Sequence, residues 1–306
     1  MTKPAITVVP SSSGFAKRLA HIGGRVALSA LRLRFRIGSR LHAARAVRRA
    51  CDLFCTPLPQ ARRRARTADM QDAARERLRA KGLDLATYRW GDLRTEPWVL
   101  LVHGWSSCAA AFLPWVERLR RSGYAVVAFD QPGHGLSEGS RADLPAFVQA
   151  AHAVAGLHGK PAALIGHSLG GAAVAVAMSE GLRTDRAVLI SPAADLAAAI
   201  QRFTRVMRLP DDFGDRMVAA FEAGSVPIDA LQAHRIAPRI ASEGLIVHDS
   251  EDREIPLEEG RRYARSWRGA RMMTTRGLGH SRILADDQVI AAVLSFLAEN
   301  EQKGRR

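Results

Sequence analysis

Cysteine is scarce: Cys51, Cys55 and Cys108 are the only three in 306 residues. So odd and sparse a set builds neither a disulfide framework nor a four-ligand zinc site, and a reducing compartment is expected. Long uninterrupted apolar runs are also missing. Pro97–Val116 and Pro161–Ser179 carry no charge, but each has glycine and polar residues at its centre, so both read as strand, turn and helix of a buried sheet rather than as membrane spans. Arginine and lysine break every apolar stretch of the first 50 residues, which excludes a secretory signal pattern there. No repeat or low-complexity tract occurs. With 47% hydrophobic and 25% charged residues, the composition is that of a globular chain with one large core and an extension.

Acidic residues are lacking in one place only. Residues 1–82 hold 19 lysines and arginines against Asp52, Asp69, Asp72 and Glu76, an excess of 15 that equals the whole net charge of +15; residues 83–306 are balanced. The basic character therefore belongs to an arm, and no nucleic-acid motif accompanies it. Within the arm, Pro10–Gly14 reads as a flexible lead. Phe15, Leu19, Ile22, Val26, Leu33, Ile37 and Leu41 then recur at helical spacing among arginines. Pro57 and Pro59 end that helix, and a second is expected over Ala65–Lys81, closed by Gly82. The stripe suits either packing on the following domain or peripheral association of residues 15–50 with an anionic membrane. The expected location is the cytoplasm, at the inner membrane face where the arm binds lipid.

After Gly82, short β-rich runs at Ala86–Trp90, Trp98–Val102, Ala125–Asp130, Ala162–Gly166, Arg186–Ile190, Gly244–Val247 and Arg271–Thr275 alternate with helical patterns. That alternation predicts an α/β fold, a mainly parallel twisted sheet with helices on both faces. The first run is expected to be an antiparallel edge. A cap insertion over 194–235 is helical by pattern at Ala194–Met207 and Asp211–Ala223 and would cover the C-terminal edge of the sheet, where ligands bind in such folds. Phe203, Met207, Phe213, Met217 and Phe221 are candidates for its inner lining, although their helical spacing equally suits core packing.

The sharpest chemical signal is Gly166-His167-Ser168-Leu169-Gly170, between an apolar strand and a helical run. A serine on so tight a strand-to-helix turn needs small neighbours on both sides, and the turn lifts its hydroxyl above the sheet. A serine nucleophile requires a base oriented by a carboxylate. Past the two later strands lie Asp252 and His280, giving the order Ser168, Asp252, His280; Asp249 and Asp195 are the alternative acids. Acyl transfer further needs oxyanion donors, for which the backbone N–H groups of Leu169 and Trp105 are the candidates. His103, beside Gly104, reads as a structural hydrogen-bonder. No His, Cys, Asp or Glu cluster has metal-ligand spacing.

From about residue 84 to 298 the chain resembles the α/β-hydrolase superfamily, through His103-Gly104-Trp105, Asp130-Gln131-Pro132-Gly133-His134-Gly135-Leu136-Ser137, the serine turn, Asp252 and Gly279-His280. The bacterial esterase- and lipase-like branch, with a short cap and a basic N-terminal extension, is the nearest in character. The resemblance implies a basic helical extension over 1–82 and a hydrolase domain over 83–306. It implies a serine-nucleophile mechanism with no metal or organic cofactor but supplies no substrate; the expected function is a serine hydrolase acting on small-molecule carboxylic esters of small to medium acyl length. The same triad also serves acyltransferases and perhydrolases, and a non-catalytic binding protein on this fold is the remaining alternative. In such proteins the Asp130–Ser137 segment is a structural turn. Serine at position 168, in place of aspartate, separates the chain from dehalogenases and epoxide hydrolases.

Overall fold

The computed structural model describes residues 28–224 and 227–299. Phe15, Leu19, Ile22, Val26 and the Pro10–Gly14 lead fall outside those residues. Helices α1 (28–41) and α2 (Ala43–Phe54) are followed by α3 (Pro59–Thr67), which starts on a proline whose missing N–H costs nothing at a first helical turn. Strands β1 (Ala74–Ala80), β2 (Leu83–Trp90), β3 (Trp98–Val102), β4 (Ala125–Phe129), β5 (Ala163–His167), β6 (Arg186–Ile190), β7 (Glu243–Asp249) and β8 (Ala270–Thr275) form one sheet in the order β1-β2-β4-β3-β5-β6-β7-β8. Strand β2 pairs antiparallel with both neighbours, and the pairs from β4 to β8 are all parallel.

Two readings of the sequence need correction. The run Ala74–Ala80 is a strand, not the end of a helix over Ala65–Lys81, and the sheet therefore begins inside the basic extension. Its Arg, Ala, Leu and Glu residues favour helix locally, but Lys81 and Gly82 both take positive φ, +49° and +83°, the geometry of a tight hairpin turn. Pairing of Ala74–Ala80 with Leu83–Arg89 then outweighs propensity. As a result β2 is antiparallel as expected but internal, and β1 takes the edge.

Strands β3 to β7 are buried on both faces, as βαβ crossovers require, whereas the edge strand β8 is only partly covered. On one face Leu100, Val127, Leu164 and Leu189 pack under α5 (Leu144–His158) and α6 (Leu169–Ser179), together with Tyr263 of α10 (Leu257–Ser266). On the other, Leu101, Ile165, Val188 and Val247 meet Trp115 of α4 (Leu113–Arg121) and Val293 of α12 (Asp287–Ala298). A third core lies off the sheet. There Phe35 of α1 and Ala46, Val47 and Ala50 of α2 pack against Ile200 and Met207 of α7 (Leu196–Met207) and Phe213 and Met217 of α8 (Phe213–Glu222). The apolar stripe expected over 15–41 is, in its described part, not the face that packs. Phe35 is buried against the cap, whereas Leu33, Ile37 and Leu41 face outward.

Because this third core lies apart from the two that flank the sheet, it is expected to open more readily than they do. Phe213→Ala removes a fully buried ring at a local cost of about 3–5 kcal/mol. Limited proteolysis is expected to cut α2, α7 and α8 faster in that variant, while the thermal midpoint of the sheet domain moves by only a few degrees.

Candidate active site

The chain order places β4 on one side of β3 and β5 on the other, so the loops after β3 and β5 leave adjacent strands at the point where the winding reverses. Crevices for ligands open at such points. Ser168 stands there, between β5 and α6, with φ +55° and ψ −122°, a backbone conformation that L residues rarely adopt. The surrounding glycines have no room for a side chain. A Cβ on Gly104 would lie 2.8 Å from Ser168 Cβ, one on Gly166 2.6 Å from Gly170 O, and one on Gly170 2.3 Å from Val102 O. Gly104 and Gly170 thus permit a backbone approach that holds the serine turn against the β3 loop, and Gly166 lets the turn close on the start of α6.

His280, in the short helix α11 (Gly279–Arg282) after β8, places Nδ1 2.7 Å from Asp252 Oδ2. The Asp252 side chain is wholly buried, and its Oδ1 accepts from Glu254 N (2.9 Å) and Ile255 N (3.0 Å). Burial raises the pKa of this carboxyl, but the His280 hydrogen bond and charge and the two amides outweigh burial and lower it to about 2. The other two carboxylates are engaged elsewhere. Asp249 accepts from Thr275 Oγ1, Glu251 N and Leu278 N, which ties down the loop leading to His280. Asp195 caps α7 through Ala198 N and meets Arg262 at 2.6 Å.

Ser168 and His280 line the same cavity, and His167 joins their segments: its ring centroid is 4.7 Å from that of His280, and its Nε2–H donates to His280 O at 2.9 Å. Among the described residues no protein group accepts from the amides of Trp105 or Leu169. Leu169 opens α6, so its N–H is one of the free donors at a helix N-terminus.

The loop carrying Trp105 is fixed by buried polar groups. His103 Nε2 accepts from Gln131 N (2.9 Å), leaving Nδ1–H to donate to Gly104 O (2.8 Å). His134 Nε2 accepts from Ser106 N (3.0 Å), and Asp130 accepts from Ala109 N, Leu136 N and Tyr88 Oη. Burial pushes His103 down to about 4 and His134 and His167 down to about 3, so all three are neutral at pH 7.

The cavity, about 1060 Å³, is mainly apolar and reaches from Ser168 to the cap. Of the five cap residues singled out, Phe203, Met207 and Phe221 line it, while Phe213 and Met217 belong to the core behind it. Two contributions escaped sequence reading. The first is the arm itself: Leu31, Leu53, Phe54 and Leu58 form part of the wall, Phe54 packs 5.4 Å from Phe203, and Leu58 N donates to Ser106 Oγ in the Trp105 loop. The second is buried Glu259, which accepts from Ala194 N (2.8 Å) and Arg202 Nη1 (2.6 Å) and so anchors the start of the cap. Nothing in an isolated Glu-Glu pair on α10 distinguishes it; only its burial does.

The family model described as the alpha/beta hydrolase family matches residues 99–293. A pimeloyl-[acyl-carrier protein] methyl ester esterase of Xylella fastidiosa is 39% identical over 75 residues, 24% of this chain. The match spans 28% of that relative's length. Among solved structures, a putative lipase from Acinetobacter baumannii superposes with a TM-score of 0.59 at 19% identity, covering 80% of this chain and 95% of that one. An esterase from a Rhodococcus species gives 0.56 at 16%, covering 75% and 99%.

Two outcomes are expected. Gly170→Ala drives a methyl group into rigid backbone and should cost about 3 kcal/mol, lowering the thermal midpoint by roughly 6–12 °C. The Asp252 carboxyl binds its proton more weakly in the folded state than its ordinary 3.8, so it stabilises the fold fully above about pH 4 and that contribution is lost as pH falls through about 2. Asp252→Asn should flatten this part of the acid limb in denaturant titrations run at successive pH values.

Proposed function

Since the chain belongs to the alpha/beta hydrolase family, we propose that it is a serine hydrolase cleaving carboxylic esters of small to medium acyl length through an acyl-enzyme on Ser168. One observation carries the reading: a serine on a left-handed strand-to-helix turn shares an apolar cavity with an imidazole whose Nδ1 is bonded to a buried carboxylate. In the first step His280 Nε2 takes the Ser168 proton as Oγ attacks the ester carbonyl carbon. The amides of Trp105 and Leu169 stabilise the oxyanion, and the imidazolium returns its proton to the leaving alcohol. Water then attacks the acyl-enzyme by the same route and releases the acid. Asp252 keeps the Nδ1–H tautomer and stabilises the imidazolium while remaining ionised, which suits a carboxyl held near 2.

The apolar wall of Phe54, Ile200, Phe203 and Phe221 favours an alkyl or aryl acyl group over a charged one. The partial match to a methyl ester esterase is consistent with ester cleavage. Acyl transfer to an alcohol or peroxide uses the same triad, and the partition of product between water and added acceptor separates the two outcomes.

A fluorophosphonate probe is expected to label the native protein at a single peptide containing Ser168, and Ser168→Ala should lose both the label and at least about 10⁴-fold in kcat while keeping the native thermal midpoint. Substantial residual esterase activity in that variant, or no labelling of folded native protein, would overturn the assignment.

A further inference from the structure

Helix α1 has two apolar faces, and the described structure partners only one of them. Leu28, Leu31 and Phe35 pack with α2 and the cap, and Arg32 donates through Nε (3.1 Å) and Nη2 (2.7 Å) to Val206 O in α7, so the helix is fixed to the cap. Leu33, Ile37 and Leu41 fall four residues apart on the opposite side and are 58%, 51% and 69% exposed. Of the six large apolar side chains left exposed among the described residues, these are three; Leu58 and Val206, which line the cavity, are two more. Five of six thus lie on the arm or at the rim of one pocket.

The charge around this line has one sign. At 100° per residue Arg36 and Arg40 flank it on one side and Arg34 on the other, and all three are exposed. Residues 28–54 carry seven arginines and a single acid, Asp52, which is paired with Arg141. An apolar line between guanidinium rows, on a helix lying along the surface, matches a bilayer containing anionic lipid: alkyl groups enter below the headgroups while arginines meet the phosphates. A second copy of the chain would set arginine rows against each other. Nucleic acid offers no apolar layer for the three side chains to enter.

We infer that the outward face of α1 is a docking surface for an anionic lipid bilayer. The inference concerns binding and stands whether or not Ser168 is a nucleophile. The full-length protein is sedimented with vesicles of phosphatidylcholine alone and of phosphatidylcholine mixed with phosphatidylglycerol. Binding is expected only to the mixed vesicles, and raising the salt from about 0.01 M to about 1 M should weaken it, because the screening length falls from about 30 Å to about 3 Å. Replacing the apolar line, Leu33→Gln with Ile37→Gln and Leu41→Gln, should weaken partitioning by about tenfold or more. The thermal midpoint and gel-filtration volume should stay unchanged. A separate charge variant, Arg34→Gln with Arg36→Gln and Arg40→Gln, keeps the test valid if the first fails to fold, and should lose most of the salt-sensitive binding. Absence of native binding to anionic vesicles would overturn the inference, as would unaltered binding by the folded apolar variant. So would a native dimer that dissociates in the apolar variant while neither protein binds vesicles.

Discussion

The close backbone contact between the turn after β5 and the loop after β3 is the constraint on which the rest of the site depends. Ser168 holds a positive φ that costs free energy, and it persists because neighbouring backbone leaves no alternative. Gly104, Gly166 and Gly170 are each pressed against main-chain or Ser168 atoms at distances that no Cβ tolerates. That contact brings the segment carrying Ser168 and the first residue of α6 against the loop that carries Trp105. The loops bearing Asp252 and His280 arrive at the same end of the sheet because β7 and β8 run parallel to β5.

Around this centre the polar groups divide by surroundings. His103, His134 and His167 are enclosed, neutral and bonded to backbone, so they tie loops together. Asp252 is also enclosed but accepts from two amides and an imidazole, which keeps it ionised. Burial by itself raises its pKa; the donors reverse the direction. Asp249, three residues earlier, has the same chemistry and another set of donors, and serves to hold Leu278 in place.

The cap and the basic arm form a third layer over the sheet. The arm's inner side lines the cavity and its outer side carries an apolar line left exposed among the described residues, so a segment that looked separate by charge is structurally continuous with the pocket. Arg202 and Glu259 link that layer to α10, and Leu58 links it to the Trp105 loop. The arm thus touches, through Leu58, the loop that carries the Trp105 amide.

Local pattern made the sheet legible, because strands buried on both faces read as Val, Leu and Ile runs bounded by turns, and the glycine-flanked serine has a steric reason that needs no neighbours to be recognised. The charge asymmetry and the cap helices were legible for the same reason. Ala74–Ala80 was not, since its residues favour a helix and only pairing with β2 makes it a strand. Sequence also left Asp195, Asp249 and Asp252 as rival acids, because all three follow strands and spacing carries no direction. Only the tertiary structure shows that Asp252, and not Asp195 or Asp249, bonds His280, that Glu259 is buried and that α1 has an inner and an outer face, because each depends on which groups from distant parts of the chain lie within hydrogen-bond or van der Waals reach.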